Sequence, residues 1–409
     1  MQVVYERCCG IDVHKKMIVV NLRTGRKSET REFGTYTRDL REMAAWLKSA
    51  ECQMVAMEST GSYWKPLLNI FELEGINAIV VNAQHMKAVP GRKTDVKDAE
   101  WISDLLRHGL LRASFIPDKE QRDLRDLLRY RKSKIEDRAR ELNRLQKFLE
   151  GANIKLAGTI SDINGVTGKK LLELVASGND VNLDSVAACR DPNIKVSAEM
   201  LLLSVEGIVS SLQRELIHTV LRNICELDEQ LERLDTLVQK HMNEAYTNAA
   251  HILDKLPGIA IKSAQIIVGE IGIDMSRFPN AHHLSSWAGL SPGNHESAGK
   301  SKSGRTNKAN KTLKTTLTQC AHIACRDKKS FFYAQYQRLV VRRGKKKAII
   351  AVAHSMLIAI YHVLSGEDFK DLGADYYTQF NTEKKIHSHL KQLERLGWEP
   401  PFTPSAAVS

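Results

Sequence analysis

Four carboxylates and one serine set among cations are the residues of this chain whose types and spacing could do chemistry. Asp12 lies in GIDVHKK, Glu58 in MESTG, and Asp95 and Asp98 in GRKTDVKDAEW. The last two are spaced i,i+3. On a helix starting near Thr94, a candidate N-cap, that spacing puts them on one face, one above the other. Carboxylate oxygens are hard ligands that suit Mg2+. Two such ions about 4 Å apart can orient an attacking oxygen and stabilise a leaving one in phosphodiester chemistry. Uncompensated, four such acids would repel one another. Taken singly, a lone Asp after a strand is a turn residue more often than a ligand, and Asp95 and Asp98 could merely complement a helix N-terminus; their order and spacing together favour a metal site. Glu100 and Asp104 are nearby acids that a helical wheel turns partly away from the Asp95/Asp98 face.

The serine is Ser297, in WAGLSPGNHESAGKSKSGRTNKANKTLKTTL (287–317). Ala298 and Gly299 follow it, then Lys300, Lys302, Arg305 and Lys308, so a hydroxyl sits in a backbone-rich cationic loop. Such a loop can bind a scissile phosphate and lower the cost of a serine alkoxide, or grip phosphate without reacting; composition leaves both open. Ser291, Ser301 and Ser303 compete for the role. A helix read from NKANKTLKTTL would carry Lys308, Lys311 and Lys314 at i,i+3, a stripe suited to tracking phosphates. Lys15 and Lys16, just after Asp12, are further candidate phosphate contacts.

The elements that must position these groups follow from periodicity. VYERCCGIDV, MIVVNLR and SETREFGT read as three strands between residues 4 and 36, separated by HKK and the TGRK turn. A helix (37–50), a strand (53–58), a helix (62–74), a strand (77–82) and a helix after Thr94 complete the order β-β-β-α-β-α-β-α. Meandering strands followed by α/β alternation is the order of a ribonuclease H-like α/β domain, which places ligands at strand ends. From Leu124 the spacing becomes heptad: positions 124, 128, 131, 135, 138, 142, 145 and 149 are Leu or Ile except Arg131 and Arg138. Ile217, Val220, Ile224, Leu227, Leu231, Leu234 and Val238 form a second, cleaner run. These long helices are expected to pair as coiled coils, within one chain or between chains. LPGI (256–259) followed by Ser263 and Ala264 resembles a helix-hairpin-helix turn, with Gly258 a candidate for backbone contact to phosphate, or a glycine required by geometry alone. The expected domains are 1–115, 116–247 with a helical insert at about 151–210, 248–370, and a C-terminal tail 371–409 without an interpretable motif, whose last residues are expected to be disordered.

Composition sets the class. With 409 residues, 43% hydrophobic and 26% charged, the chain reads as a folded protein of two or three domains. The net charge of +12 is concentrated: residues 281–347 hold fifteen Lys or Arg against Glu296 and Asp327, so the remainder is close to neutral. A charge excess confined to one segment favours a local phosphate-binding surface. Seven cysteines without a CxxC pair argue against a disulfide framework or a zinc site and fit a reducing cytoplasm. The N-terminus shows no signal pattern. The longest apolar stretch, 348–364, is short for a bilayer span and carries His354, Ser355 and His362, so it is expected to be a buried core helix whose histidines are packing residues.

GIDVHKK, MESTGSYW, VNAQHMKAVPGRKTDVKDA, LPGI and the 287–313 stretch, in that order from about Cys9 to Arg326, resemble the DEDD transposases of the Piv/MooV type, the recombinases of bridge-RNA-guided insertion sequences. The resemblance implies a RuvC-like N-terminal domain with the acidic tetrad Asp12, Glu58, Asp95 and Asp98, a coiled coil mediating assembly, and a C-terminal transposase domain with Ser297 as nucleophile. The family loop often carries a second serine and a glycine here, whereas Glu296 precedes and Ala298 follows Ser297. It further implies Mg2+ (two ions), attack by the serine to give a covalent phosphoserine linkage, donor and target DNA chosen by a structured bridge RNA, and a homo-oligomer, dimer or tetramer. In such an assembly the acidic domain of one subunit would act with the serine domain of another. No membrane is expected among the partners. The competing functions are a metal-dependent RuvC-like nuclease or junction resolvase without covalent chemistry, and a non-catalytic nucleic-acid-binding protein.

Overall fold

The computed structural model of the chain describes residues 2–59, 61–82, 98–292, 295–297, 300–303, 306, 309–379 and 382–398. It divides into two compact units, Met1–Lys119 and Glu120–Ser409.

The first unit is built on a mixed five-stranded sheet. Strands β1 (Arg7–Val13), β2 (Met17–Thr24) and β3 (Lys27–Gly34) form an antiparallel meander, and β4 (Met54–Glu58) and β5 (Ala78–Val81) add in parallel beside β1, giving the order β3-β2-β1-β4-β5. The first strand starts at Arg7, not at residue 4; Val4 instead donates its backbone N–H to the Arg107 carbonyl at 2.8 Å. Alternation in β1 divides the core. Cys9, Ile11 and Val13 join Ile18, Val20, Val55 and Met57 under helices α1 (Thr37–Ser49) and α2 (Trp64–Glu74), which contribute Leu40, Met43, Leu47, Leu67 and Phe71. The opposite face, with Cys8, Ala56 and Val81, is covered by Ile102 and Leu106 of α3 (Asp98–Arg107). Strand β3 is an edge, almost wholly exposed and carrying Glu29 and Arg31, charges that discourage edge-to-edge pairing.

The second unit begins with α4 (Lys119–Gly151). Four short helices follow, α5 (Leu156–Thr159), α6 (Val166–Ser177), α7 (Leu183–Cys189) and α8 (Ala198–Val205), and then a second long helix, α9 (Ser211–His241). Serine 210 and Gln213 start α9 with a reciprocal capping box. The two long helices run antiparallel within the chain. Arg131 bonds Asp235 and Arg138 bonds Asp228, one heptad apart on each helix and in opposite directions, and Leu145 and Leu149 at the far end share a core with Ile217, Val220 and Ile224. The insert closes that end, burying Leu171, Leu172 and Leu201 in the same cluster.

Helices α10 (Glu244–Asp254), α11 (Ile261–Ile271), α12 (Ala281–Trp287), α13 (Lys311–Ala324), α14 (Phe331–Arg343) and α15 (Lys345–Leu364) follow, with a small hairpin of β6 (His295–Ser297) and β7 (Lys300–Ser303) before α13. Helix α15 is the one described helix long and apolar enough to span a bilayer, yet Ile349, Val352, Met356 and Ile360 are buried, and α12, α13 and α14 pack on it. Of its histidines only His354 packs: it stacks on His282 at 6.3 Å between centroids, and burial lowers its pKa, with His282 adding to the effect, whereas His362 is exposed and bonds Glu367 at 2.7 Å. The tail also contains the helices α16 (Tyr376–Gln379) and α17 (Thr382–Arg395); the expected disorder of its last residues falls outside the described residues.

Candidate functional site

A glycine sets the geometry of the acidic site. A Cβ on Gly10 would stand 2.2 Å from the Ala99 carbonyl oxygen and 2.3 Å from the Ser103 nitrogen, so only glycine lets α3 lie this close to β1. The Cys8 thiol reaches the Ser103 carbonyl at 3.6 Å, while Gly10 lies against Ala99. Moving along β1 toward Asp12 therefore moves back along α3 toward its N-terminus, Asp98. Asp12 shares the α3 face with Cys8 and Gly10. In the parallel ladder Gly10 pairs with Ala56 and Ile11 with Met57, so one further step sets Asp12 beside Glu58, on the same face. Three of the four predicted acids thus come from three elements toward one end of the sheet. Asp95, with the predicted cap Thr94, lies outside the described residues.

Asp12 is accessible, with its side chain 21% exposed, and its Oδ2 is held by His14 Nε2 at 2.9 Å. His14 was not singled out in the sequence, although its place two residues after Asp12 was the available signal. Lys15 and Lys16 are exposed in the same turn, a cationic rim beside the acids. Asp98 Oδ1 is buried at the helix start. Asp104, a sequence neighbour, is directed elsewhere and pairs with Arg23 at 3.4 Å. Beneath α3 a polar network fixes its position: Ser103 Oγ donates to Asn21 Oδ1 at 2.5 Å and accepts from Arg23 Nε at 3.0 Å, and Asn21 Nδ2 donates to Ser28 and Thr30. The donor set is hard oxygen in character and fits Mg2+. Among the described residues, no three His, Cys, Asp or Glu side chains form a metal-holding group by themselves.

Ser297 ends β6, and Lys300 and Lys302 lie on β7, the antiparallel partner strand; Ser297 pairs with Lys300 across the hairpin. The segment gave no strand signal in sequence, being rich in Ser, Gly and Lys without apolar alternation. Arg305 and Lys308 lie outside the described residues. The hairpin's base is closed by a Pro292–Thr306 bridge, with Lys314 Nζ donating to Thr306 Oγ1. The expected cation stripe needs correction. Helix α13 begins at Lys311, because Asn310 caps it by accepting from the Leu313 N–H at 3.0 Å, so Lys308 precedes the helix and Lys314 is committed to Thr306. Lys311 remains exposed.

A buried cluster anchors this region. Glu270 of α11, 2% exposed, accepts from Arg129 Nε at 2.7 Å and Nη2 at 2.8 Å, and from Asn310 Nδ2 at 2.6 Å, so the residue that caps α13 also bonds α11. Arg125 lies 3.5 Å from Glu270, and burial lowers its pKa to about 10 despite that partner. Gly258, in the turn between α10 and α11, has φ 79°, and a Cβ would lie 2.5 Å from the Cys320 carbonyl oxygen and 2.6 Å from the Ala324 nitrogen. Its packing on α13 accounts for the glycine independently of any phosphate.

Comparison with known proteins identifies the family. Residues 9–154 match a family model for the DEDD domain of IS110 elements, described as a transposase, and residues 250–337 match one described as the transposase IS116/IS110/IS902 family. Together they cover more than half of the chain and leave out most of the insert and α9. The chain is also similar to the transposase for insertion sequence element IS1111A of Coxiella burnetii (strain RSA 493 / Nine Mile phase I), at 23% identity over 383 residues, 90% of this chain and 88% of that protein.

Proposed function

This chain belongs to the IS110 family of DEDD transposases, enzymes that cut and rejoin DNA, and on that premise we propose that Asp12, Glu58, Asp95 and Asp98 hold divalent metal in a RuvC-like domain while Ser297 is the nucleophile. The observation that carries the reading is the convergence of Asp12 and Glu58 on one face of the sheet, under the start of α3 at Asp98. Mg2+, two ions by this reading, supplies positive charge beside a scissile phosphate when bound to such carboxylates.

In the proposed step the Ser297 hydroxyl oxygen forms a bond to the scissile phosphorus and the bond from that phosphorus to the neighbouring 3′ oxygen breaks. The proton given up by serine is balanced by the one the 3′ oxygen gains as it leaves as a hydroxyl. The phosphoester count is unchanged, so rejoining needs no external energy: a 3′-hydroxyl of the other DNA attacks the phosphoserine and releases the serine. Lys15, Lys16, Lys300, Lys302, Arg305, Lys308 and Lys311 are assigned to phosphate contacts, and Gly258 to a backbone contact. A structured bridge RNA selects donor and target, with the protein reading shape and backbone. The carboxylates of one subunit act with the serine of another in a homo-oligomer.

The test combines purified protein, its flanking RNA, Mg2+ and labelled donor and target DNA on a denaturing gel, with mass spectrometry of any protein-linked DNA. Linkage at Ser297, lost in Ser297→Ala and in Asp12→Asn, is the expected result. Metal-dependent cleavage that survives Ser297→Ala with no protein-linked product would instead make the protein a hydrolytic RuvC-like nuclease.

A further inference from the structure

The corner between α14 and α15 concentrates positive charge where the fold itself would disfavour it. Val341 to Lys347 (VRRGKKK) are all exposed, and Arg342, Arg343, Lys345, Lys346 and Lys347 make no ion pair among the described residues. Gly344 joins the helices at φ 76°, and a Cβ there would meet nothing within 4 Å, so the corner is open. Arg342 and Arg343 complement the negative end of α14. Lys345, Lys346 and Lys347 do the opposite. They occupy the first turn of a 20-residue helix, whose positive end favours acids, with no acidic residue in that turn and no side-chain cap at Gly344. Helices α1, α4, α8 and α10 carry Asp39, Glu120, Glu199 and Glu244 in that place.

Five cations in seven exposed residues repel one another, and the lysines also oppose the helix dipole, so the free corner is destabilised by the charges it displays. A small anion would neutralise one or two of them. A duplex presents about one charge per 1.7 Å along its axis and can meet all five. We propose that the α14–α15 corner is a docking surface for the phosphodiester backbone of duplex DNA, the substrate of an enzyme that cuts and rejoins DNA, separate from the carboxylates and from the serine hairpin. The surface is sequence-independent in its chemistry: it contributes affinity and salt dependence without reading bases.

The experiment compares the full chain with the triple variant Lys345→Gln, Lys346→Gln, Lys347→Gln. Binding to a 30-bp DNA duplex and a 30-bp RNA duplex is measured across a salt series without Mg2+, so neither the carboxylate nor the serine assignment enters the result. Thermal unfolding is followed without nucleic acid. The expected variant binds the DNA duplex about tenfold more weakly, loses about 2–3 from its log–log salt slope, and unfolds at a higher temperature than the parent. A fall with the DNA duplex supports the proposal, and a fall confined to the RNA duplex would overturn it. Unchanged slopes with both duplexes would overturn the proposal. So would a lowered unfolding temperature, which would make the lysines structural, or an equal slope change in a control with Lys328→Gln and Lys329→Gln at the other end of α14, which would reduce the effect to net charge.

Discussion

At the scale of single residues, His14 in the first unit and Glu270 in the second are side chains outside the predicted set that hold their surroundings in place. His14 fixes one oxygen of Asp12, and groups that orient a metal-binding carboxylate commonly alter metal affinity 10–100-fold when removed. Within the proposed reading, His14→Ala should raise the Mg2+ concentration needed for half-maximal cleavage by roughly tenfold and leave maximal cleavage largely intact at saturating metal. A Mg2+ titration of cleavage checks this; an unchanged midpoint would remove His14 from the site. Glu270 is a buried carboxylate facing two arginines, so Glu270→Gln removes the buried charge that Arg129 and Arg125 share. The expected loss is about 3 kcal/mol of stability, read by denaturant unfolding. His14 has its partner two residues away, a local signal the sequence carries, whereas Glu270 depends on an arginine 141 residues away whose place only the fold reveals.

At the scale of elements, the order of strands and helices in the first unit was legible because each strand alternates and each helix keeps one apolar face. The hairpin bearing Ser297 was not, since its pairing is set by the bridge at its base. The heptads show a different limit. Arg131 breaks the apolar pattern, yet its side chain is 2% exposed; its counter-charge, Asp235, comes more than a hundred residues later on α9. The same pairing places α4 and α9 together within one chain. Burial works against the Asp235 charge, but hydrogen bonds from Arg131 and Lys262 hold its pKa below the ordinary 3.8. A folded pKa below the unfolded one makes the pair's contribution complete above about pH 4 and progressively lost below it. Asp235→Ala should therefore cost about 3 kcal/mol near neutrality and less at pH 3, whereas Arg131→Met, which removes the buried charge, should cost about 1 kcal/mol or less. Urea unfolding at the two pH values measures both.

At the scale of the whole molecule, the two units have separate cores and should respond separately to damage. Gly10→Ala drives a methyl group into the α3 backbone and should destabilise the first unit by about 3 kcal/mol. Gly258→Ala combines a clash with α13 and a positive φ, and should weaken the second unit by a similar amount. Calorimetry of the full chain should resolve two transitions, Gly10→Ala lowering one and Gly258→Ala the other. A single transition lowered equally by both would show that the units unfold as one.

The antiparallel clamp between α4 and α9 also acts as a ruler. Its charged rungs, Arg131–Asp235 and Arg138–Asp228, repeat every seven residues on both rails, and the 33-residue α4 is about 50 Å long. Removing seven residues from each rail keeps every remaining rung facing its partner and draws the insert about 10 Å toward the rest of the second unit. Removing four turns the rails out of phase. The reach of the insert is thus quantised in heptads, and relatives that differ in length here should differ by matched sevens.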